Sequence, residues 1–309
     1  MAEKLSIVIP TYRSEKSLPI LVGELMEVVP MMGYEPEIIL VDDRSPDGTW
    51  EVCLKLKEKY GPALKIARLL TNRGQHNATL CGFYLSRGSI VVTMDDDLQN
   101  PPSELPKLIE KIRSGYDLVI AEYKHEGRAH WRNWGGGFID SLLRAIFHLP
   151  KGFQLTSFRA AKREVVQEVS QMGQVFPYIT AMLLSHSANQ CNVAVEHHPR
   201  RFGSSNYTLK RSLSLAANLI LNYSPLPLVL VGFFCSVAFL VSFVLGVAVL
   251  CRALIWGSSV PGWASLMVVT SFFNGVILLS LIIFGMYLIR LYQQVTRSKV
   301  RYTVSELHE

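Results

Sequence analysis

The chain has 309 residues, 49% hydrophobic and only 18% charged, with a mean hydropathy of +0.23. Soluble domains carry roughly 25% charged residues, whereas here Ser212 to Cys251 and Ala253 to Ile289 contain no Asp, Glu, Lys or Arg. The composition argues against a wholly soluble protein and excludes a disordered chain and a disulfide-stapled secreted one, and a net charge of +6, half of it on either side of Ser212, is too weak and even to indicate nucleic acid.

The N-terminal MAEKLSIVIPTY holds one Lys and a short apolar stretch, too short for a signal peptide, so this part is expected to stay where it is made. Short β-branched runs follow at Leu5–Pro10, Glu37–Asp43, Lys65–Leu70, Ser89–Asp97 and Asp117–Glu122. Their near-continuous apolar character predicts strands buried on both faces. Helical segments are predicted near Leu18–Val29, Thr49–Tyr60, His76–Ser86 and Ser103–Arg113. This alternation predicts an α/β domain with a mostly parallel sheet, in which ligands bind beyond the carboxyl ends of strands. Polar motifs stand at four such ends: TYRSE, DDRSPDGT, TNRGQHN and DDDLQN.

From Tyr123 to Pro150 the chain is rich in cations and Trp, then passes through Gly135–Gly137, read as a hinge. Apolar residues at Phe138, Ile139, Leu142, Leu143, Ile146 and Phe147 have the spacing of an amphipathic helix, suited to the core, a membrane surface or a partner subunit. A mixed segment then leads to RRFGSSNYTLKR.

Pro225 and Pro227 divide the first uncharged run. Leu209–Asn222 reads as a helix lying at the membrane interface, within an interfacial segment 209–227. Two spans are predicted at 228–251 and 264–289, each near the ~20 apolar residues a bilayer needs. Trp256 and Trp263 would anchor the connecting loop. Lys210, Arg211, Arg290, Arg297, Lys299 and Arg301 flank the outer ends, so positive-inside bias places residues 1–208, the tail 290–309 and both termini in the cytoplasm. The sequons at Asn77 and Asn206 would go unused there. The alternative is a pair of core helices in a soluble protein.

Cys53, Cys81, Cys191, Cys235 and Cys251 form no CxxC motif and read as reduced thiols. No GxGxxG or P-loop motif is present. Chemistry centres on Asp95-Asp96-Asp97-Leu98-Gln99, directly after an apolar strand. Carboxylates at i and i+2 there would converge on one hard cation shared with substrate phosphates; the alternative is an acidic turn capping the next helix. Asp42-Asp43 would accept hydrogen bonds from a ribose or base, or else cap a helix. His76 reads as a helix-start residue. His197 and His198 are expected on opposite faces of a strand, unable to chelate together.

In order, LSIVIPTYRSEKSL, ILVDDRSPDGT, NRGQHNATLCGF, MDDDLQNPP and RRFGSSNY resemble the family-2 glycosyltransferases of the GT-A fold. Within them the resemblance is to the polyprenyl-phosphate glycosyltransferases, the branch of dolichyl-phosphate mannose synthase, its bacterial glucosyl relatives and undecaprenyl-phosphate aminoarabinose transferase. It extends over the whole chain, including the two-span hairpin.

The resemblance implies a Rossmann-like GT-A domain that moves a sugar, with inversion, from a nucleoside-diphosphate donor to a membrane polyprenyl phosphate. A uridine donor is favoured over a guanosine one, and Mg²⁺ or Mn²⁺ is the implied cofactor. Pro10, Tyr12, Glu15 and Asp43 would hold the nucleoside; Asp95, Asp97 and Gln99 the metal and diphosphate, with Asp96 where the family often has a small residue. Arg200 would pair with donor phosphate, Ser205 and Tyr207 beside it, and Arg128 and Arg132 would meet the lipid phosphate unless they snorkel to headgroups. Asp97, Arg200, Arg128 and Arg132 thus carry catalysis. A tetramer is expected by family analogy.

Two departures stand out: the acid of the usual PxYNE is displaced by one residue to Glu15, and Phe153 replaces an acceptor-side Asp that is a candidate base. Loss of that base is tolerable, because a phosphate monoester is mostly a dianion at pH 7. The alternatives are transfer to another membrane glycolipid or a catalytically silent scaffold; a processive synthase would carry a QxxRW motif and more spans.

Overall fold

The structure, a computed structural model, describes residues 3–123, 144, 147, 149–150, 152–172, 177–199, 226–256, 262–296 and 302–309. It divides into two units, residues 1–216 with 298–309, and residues 217–297. The predicted amphipathic helix, the interfacial helix and the RRFGSSNY loop lie outside the described residues, apart from isolated positions.

The first unit is built on β1 (Glu3–Thr11), β2 (Tyr34–Asp42), β3 (Leu64–Leu69), β4 (Ile90–Thr93), β5 (Leu118–Tyr123), β6 (Arg159–Lys162), β7 (Gln190–Val195) and β8 (Val304–His308). They form one eight-stranded sheet in the order β7-β5-β6-β4-β1-β2-β3-β8. The pairs β1–β2, β1–β4, β2–β3 and β5–β7 are parallel. β6 runs antiparallel between β4 and β5, and β8 antiparallel to β3. The parallel centre explains why β1 and β2 read as continuous apolar runs: Leu5 to Thr11 and Glu37 to Asp42 are buried throughout.

Helices α1 (Leu18–Met31), α2 (Thr49–Tyr60), α3 (Gln75–Leu85), α4 (Leu105–Arg113), α5 (Arg163–Gln171) and α6 (Ile179–Ser185) complete the unit. In α1 the buried residues are Leu18, Leu21, Val22, Leu25 and Val29, one stripe at helical spacing. Two prolines begin the turn before α4, where a missing N–H costs nothing. α3 approaches β1 so closely that a Cβ at Gly82 would lie 2.2 Å from Val8 Cγ1. Gly82→Ala is therefore expected to destabilise by roughly 1–3 kcal/mol through overpacking, checked by the unfolding midpoint of the purified protein.

Below the sheet centre Lys65 Nζ lies 2.9 Å from Glu37 Oε1, both side chains buried. Ser6 Oγ and the Arg87 amide donate to Glu37 Oε2, and Lys65 also reaches the Leu85 carbonyl at 3.0 Å. This network ties β1, β2, β3 and the turn into β4 together.

β8 is a finding beyond the sequence reading, which had only a tail over 290–309. Arg68 pairs with Glu306 in register, and the Leu70 amide donates to the Thr303 carbonyl at 2.7 Å. Most of β8 is exposed, so backbone bonds rather than an apolar pattern hold it, and periodicity gives no sign of it.

The second unit contains α7 (Leu226–Trp256) and α8 (Trp263–Thr296), with Cys235 Sγ 2.9 Å from Ser280 Oγ. Among the described residues one helical stretch, Phe272–Ile289, is long and apolar enough to cross a membrane; Val229–Ala238 is a shorter apolar stretch. Phe233, Phe234, Leu278 and Ile282 are exposed.

Candidate active site

The loops after β1, β2, β3 and β4 meet at the carboxyl ends of the parallel strands. Among the described residues the non-glycine positions with positive φ are Arg13 (60°), Arg44 (57°) and Leu98 (61°), all in these loops. Left-handed backbone at such residues is uncommon, and it clusters where structure serves a site.

β2 delivers Asp42 and Asp43. Asp42 is fully buried: its Oδ1 accepts from the Ser45 amide at 3.0 Å and its Oδ2 pairs with Arg68 at 3.2 Å. Asp43 follows the strand, its carboxylate accepting from the amides of Arg73 (2.6 Å) and Gly74 (2.7 Å). Gly74 has φ 85°, a conformation glycine adopts without strain. Burial raises the Asp43 carboxyl, with Asp42 adding to the rise, while the two amides and the Arg73 charge oppose it. Asp43 thereby shapes the NRGQ loop.

β4 ends at Thr93, so the three aspartates lie in the loop beyond it. Asp95 accepts from Gln75 Nε2 and Ser157 Oγ, each at 2.5 Å. Asp96 turns toward β1, accepting from the Tyr12 amide at 3.1 Å and from Ser14 Oγ. It acts as a strut between two rim loops. Burial raises the Asp95 carboxyl, with Asp97 adding, against Ser157, Arg159 and Gln75. Burial, Asp95 and Asp97 push the Asp96 carboxyl up to about 7 despite Ser14 and Tyr12. Asp97 Oδ1 accepts from the Gln99 amide at 3.2 Å.

Tyr12, Asp43, Asp95, Asp96, Asp97 and Gln99 are thus gathered on one rim, with Pro10 buried at the end of β1. Tyr12 is 42% exposed, with the Arg13 guanidinium 5.4 Å from its ring. Glu15 is exposed and its carboxylate lies over Gly48, at the start of α2. It shares none of the hydrogen bonds joining the rim loops among the described residues. Arg128, Arg132, Arg200, Ser205 and Tyr207 lie outside the described residues.

Phe153 is buried, and the Arg144 guanidinium donates to its carbonyl at 3.3 Å. The neighbouring Gln154 clamps the backbone of Tyr123 from both sides, at 3.0 and 3.1 Å. Phe153 is thus held within a hydrogen-bonded segment.

Sequence reasoning missed Gln75, Ser14 and Ser157 as partners of the aspartates. Gln75 was signalled by its place in a rim motif; Ser157, 62 positions from Asp95, had no local signal. It also set the two histidines on a strand. β7 ends at Val195, and His197 lies instead against Gln99 and stacks on Tyr123, ring centroids 3.9 Å apart.

The donor set is hard oxygen. Among the described residues no three His, Cys, Asp or Glu side chains converge as a ready-made metal cluster. Two carboxylates and an amide oxygen fit instead a divalent cation whose remaining positions go to substrate phosphates, as Mg²⁺ commonly binds. Burial is the main cause of the raised Asp95 and Asp96 carboxyls, and the neighbouring carboxylates add to it.

Comparison with known proteins bears on the family and the fold. The undecaprenyl-phosphate 4-deoxy-4-formamido-L-arabinose transferase of Pseudomonas paraeruginosa is 31% identical over 308 residues, covering 98% of this chain and 90% of that protein. The protein of that name from Photorhabdus laumondii is 29% identical over 309 residues, covering 99% and 94%. Among solved structures, glucosyl-3-phosphoglycerate synthase from Mycobacterium tuberculosis, in complex with Mn²⁺, uridine diphosphate and phosphoglyceric acid, superposes with a TM-score of 0.53 at 20% identity, covering 71% of this chain and 76% of that one. It shares the fold: a mostly parallel α/β sheet of GT-A type. The profile of glycosyl transferase family 2 matches residues 6–170, more than half of the chain and all four rim loops. On fold, rim and sequence together, this chain belongs to glycosyl transferase family 2.

Proposed function

We propose that the protein transfers a sugar from a nucleoside diphosphate, a uridine one in the first instance, to a membrane polyprenyl phosphate, for modification of envelope polysaccharide or glycan. The observation that carries this reading is the rim of Asp43 and Asp95 to Gln99 in a chain similar along nearly its whole length to undecaprenyl-phosphate transferases.

In this reading Tyr12 and Asp43 hold the nucleoside, and Asp95, Asp97 and Gln99 hold Mg²⁺ or Mn²⁺. The cation would neutralise charge developing on the departing diphosphate. Arg200 would add a second positive contact there, and Arg128 and Arg132 would hold the acceptor phosphate. That phosphate is already mostly dianionic at pH 7 and attacks the anomeric carbon without a general base, inverting it. Orientation and electrostatics therefore provide the rate, which is why Phe153 can stand where an acid is common.

Connectivity supports a two-span anchor. β8 joins the same sheet as β1–β7, and an even number of crossings between Val195 and Val304 is in keeping with that. α7 and α8, of 31 and 34 residues, are each long enough to span at 1.5 Å per residue. Basic residues at their outer ends support a cytoplasmic catalytic unit in this reading.

The test is transfer in detergent with undecaprenyl phosphate, Mg²⁺ or Mn²⁺, and a panel of labelled UDP- and GDP-sugars. An EDTA-sensitive, lipid-extractable product is expected. Nucleotide-sugar binding without lipid product from any donor would overturn the acceptor assignment. Asp43→Ala is expected to destabilise the NRGQ loop by roughly 1–3 kcal/mol, since it unpairs the Arg73 and Gly74 amides, and, if Asp43 holds the nucleoside, to weaken UDP binding as well; unfolding midpoints and calorimetric titration with UDP check the two effects.

A further inference from the structure

The Gln99 carboxamide is held by the segment that follows β7. Its Nε2 lies 3.1 Å from the His198 carbonyl oxygen and 3.2 Å from His197 Nε2. A carbonyl oxygen only accepts, so the NH₂ nitrogen must face it, and the orientation of the amide is settled. The second NH₂ hydrogen points at His197 Nε2, which must then present a lone pair. The proton of the neutral ring therefore sits on Nδ1, directed at Asn100 Oδ1 3.4 Å away. The ring stacks on Tyr123 at an interplanar angle of 25°, and the Tyr123 hydroxyl is itself hydrogen-bonded to Asn100 and Thr156. The His198 amide closes the arrangement by donating to the Gln99 carbonyl at 2.8 Å.

With both NH₂ hydrogens engaged, Oε1 is the Gln99 side-chain atom left over; among the described residues it makes no hydrogen bond. An amide oxygen is a ligand for a hard cation and an NH₂ group is not. Without an acceptor at His197 Nε2 one of the two restraints on the amide is gone, and rotation by half a turn would set the NH₂ group where the oxygen was.

We propose that His197, held by its stack on Tyr123, is a positioning residue that aims the Gln99 amide oxygen at the cation of the donor diphosphate. The proposal rests on the reading of Gln99 as a cation ligand. Outer partners of metal ligands commonly contribute 10–100-fold to metal affinity, and that is the effect expected here.

The experiment measures Mn²⁺ binding to the full-length protein in detergent, with UDP present, by the electron paramagnetic resonance signal of free Mn²⁺. His197→Phe keeps a ring to stack on Tyr123 but removes the acceptor, and is expected to raise the Mn²⁺ Kd about 10-fold or more with the unfolding midpoint unchanged. His197→Gln, whose amide oxygen reaches the place of Nε2, is expected to restore most of the affinity; His197→Asn, one bond shorter, is not. A His197→Phe Kd within about twofold of the parent, while Gln99→Ala weakens binding, overturns the positioning role alone. No effect of Gln99→Ala overturns Gln99 as a ligand, and the proposal with it. Should His197→Phe lower the unfolding midpoint, the His197→Gln and His197→Asn pair decides, and equal affinities overturn the proposal.

Discussion

Asp97→Ala is expected to lower sugar transfer by about 10²–10³-fold, the scale seen when one preorganised group facing transition-state charge is removed. Asp97 has two separable duties. Its Oδ1 accepts from the Gln99 amide and so shapes the turn at Leu98, the residue with φ 61°. Its charge, with that of Asp95, would hold the cation. Asp97→Asn keeps an oxygen for the Gln99 amide and loses the charge. If the charge matters, Asn is nearly as inactive as Ala; if the turn matters, Asn recovers most of the activity. Initial rates over a Mn²⁺ titration distinguish these outcomes, and full turnover by Asp97→Ala would remove Asp97 from the reaction.

Glu37→Ala is expected to destabilise the fold by about 3–5 kcal/mol, the cost of leaving one partner of a buried ion pair alone. Lys65 would keep a buried charge with, among the described residues, only the Leu85 carbonyl as partner, and Ser6 Oγ and the Arg87 amide would lose their acceptor. Burial by itself would raise the Glu37 carboxyl, but Ser6, Lys65 and the Arg87 amide outweigh it and hold the carboxyl below its ordinary range. A carboxyl depressed in the folded state contributes stability that is present above its unfolded pKa, and loses it as pH falls through the folded value. The parent protein should therefore lose stability on the acid side of about pH 4.5, and Glu37→Gln should show a flatter acid limb. Unfolding midpoints from pH 3 to pH 8 check both statements.

The α/β alternation, the two uncharged runs and the four polar rim motifs were legible in the amino-acid sequence, because burial on both faces of a parallel strand leaves an unbroken apolar run. The spacing of Asp95, Asp97 and Gln99 after such a run was legible for the same reason: it is local. What the tertiary structure alone decided are the pairings between distant segments. Asp96 turned to Tyr12 and Ser14, Ser157 and Gln75 closed on Asp95, and His197 came to rest on Tyr123 against Gln99. β8 joined β3 by backbone bonds along a largely exposed edge. Periodicity records which side of an element is buried; it carries no record of which polar atom closes a hydrogen bond with a residue a hundred positions away.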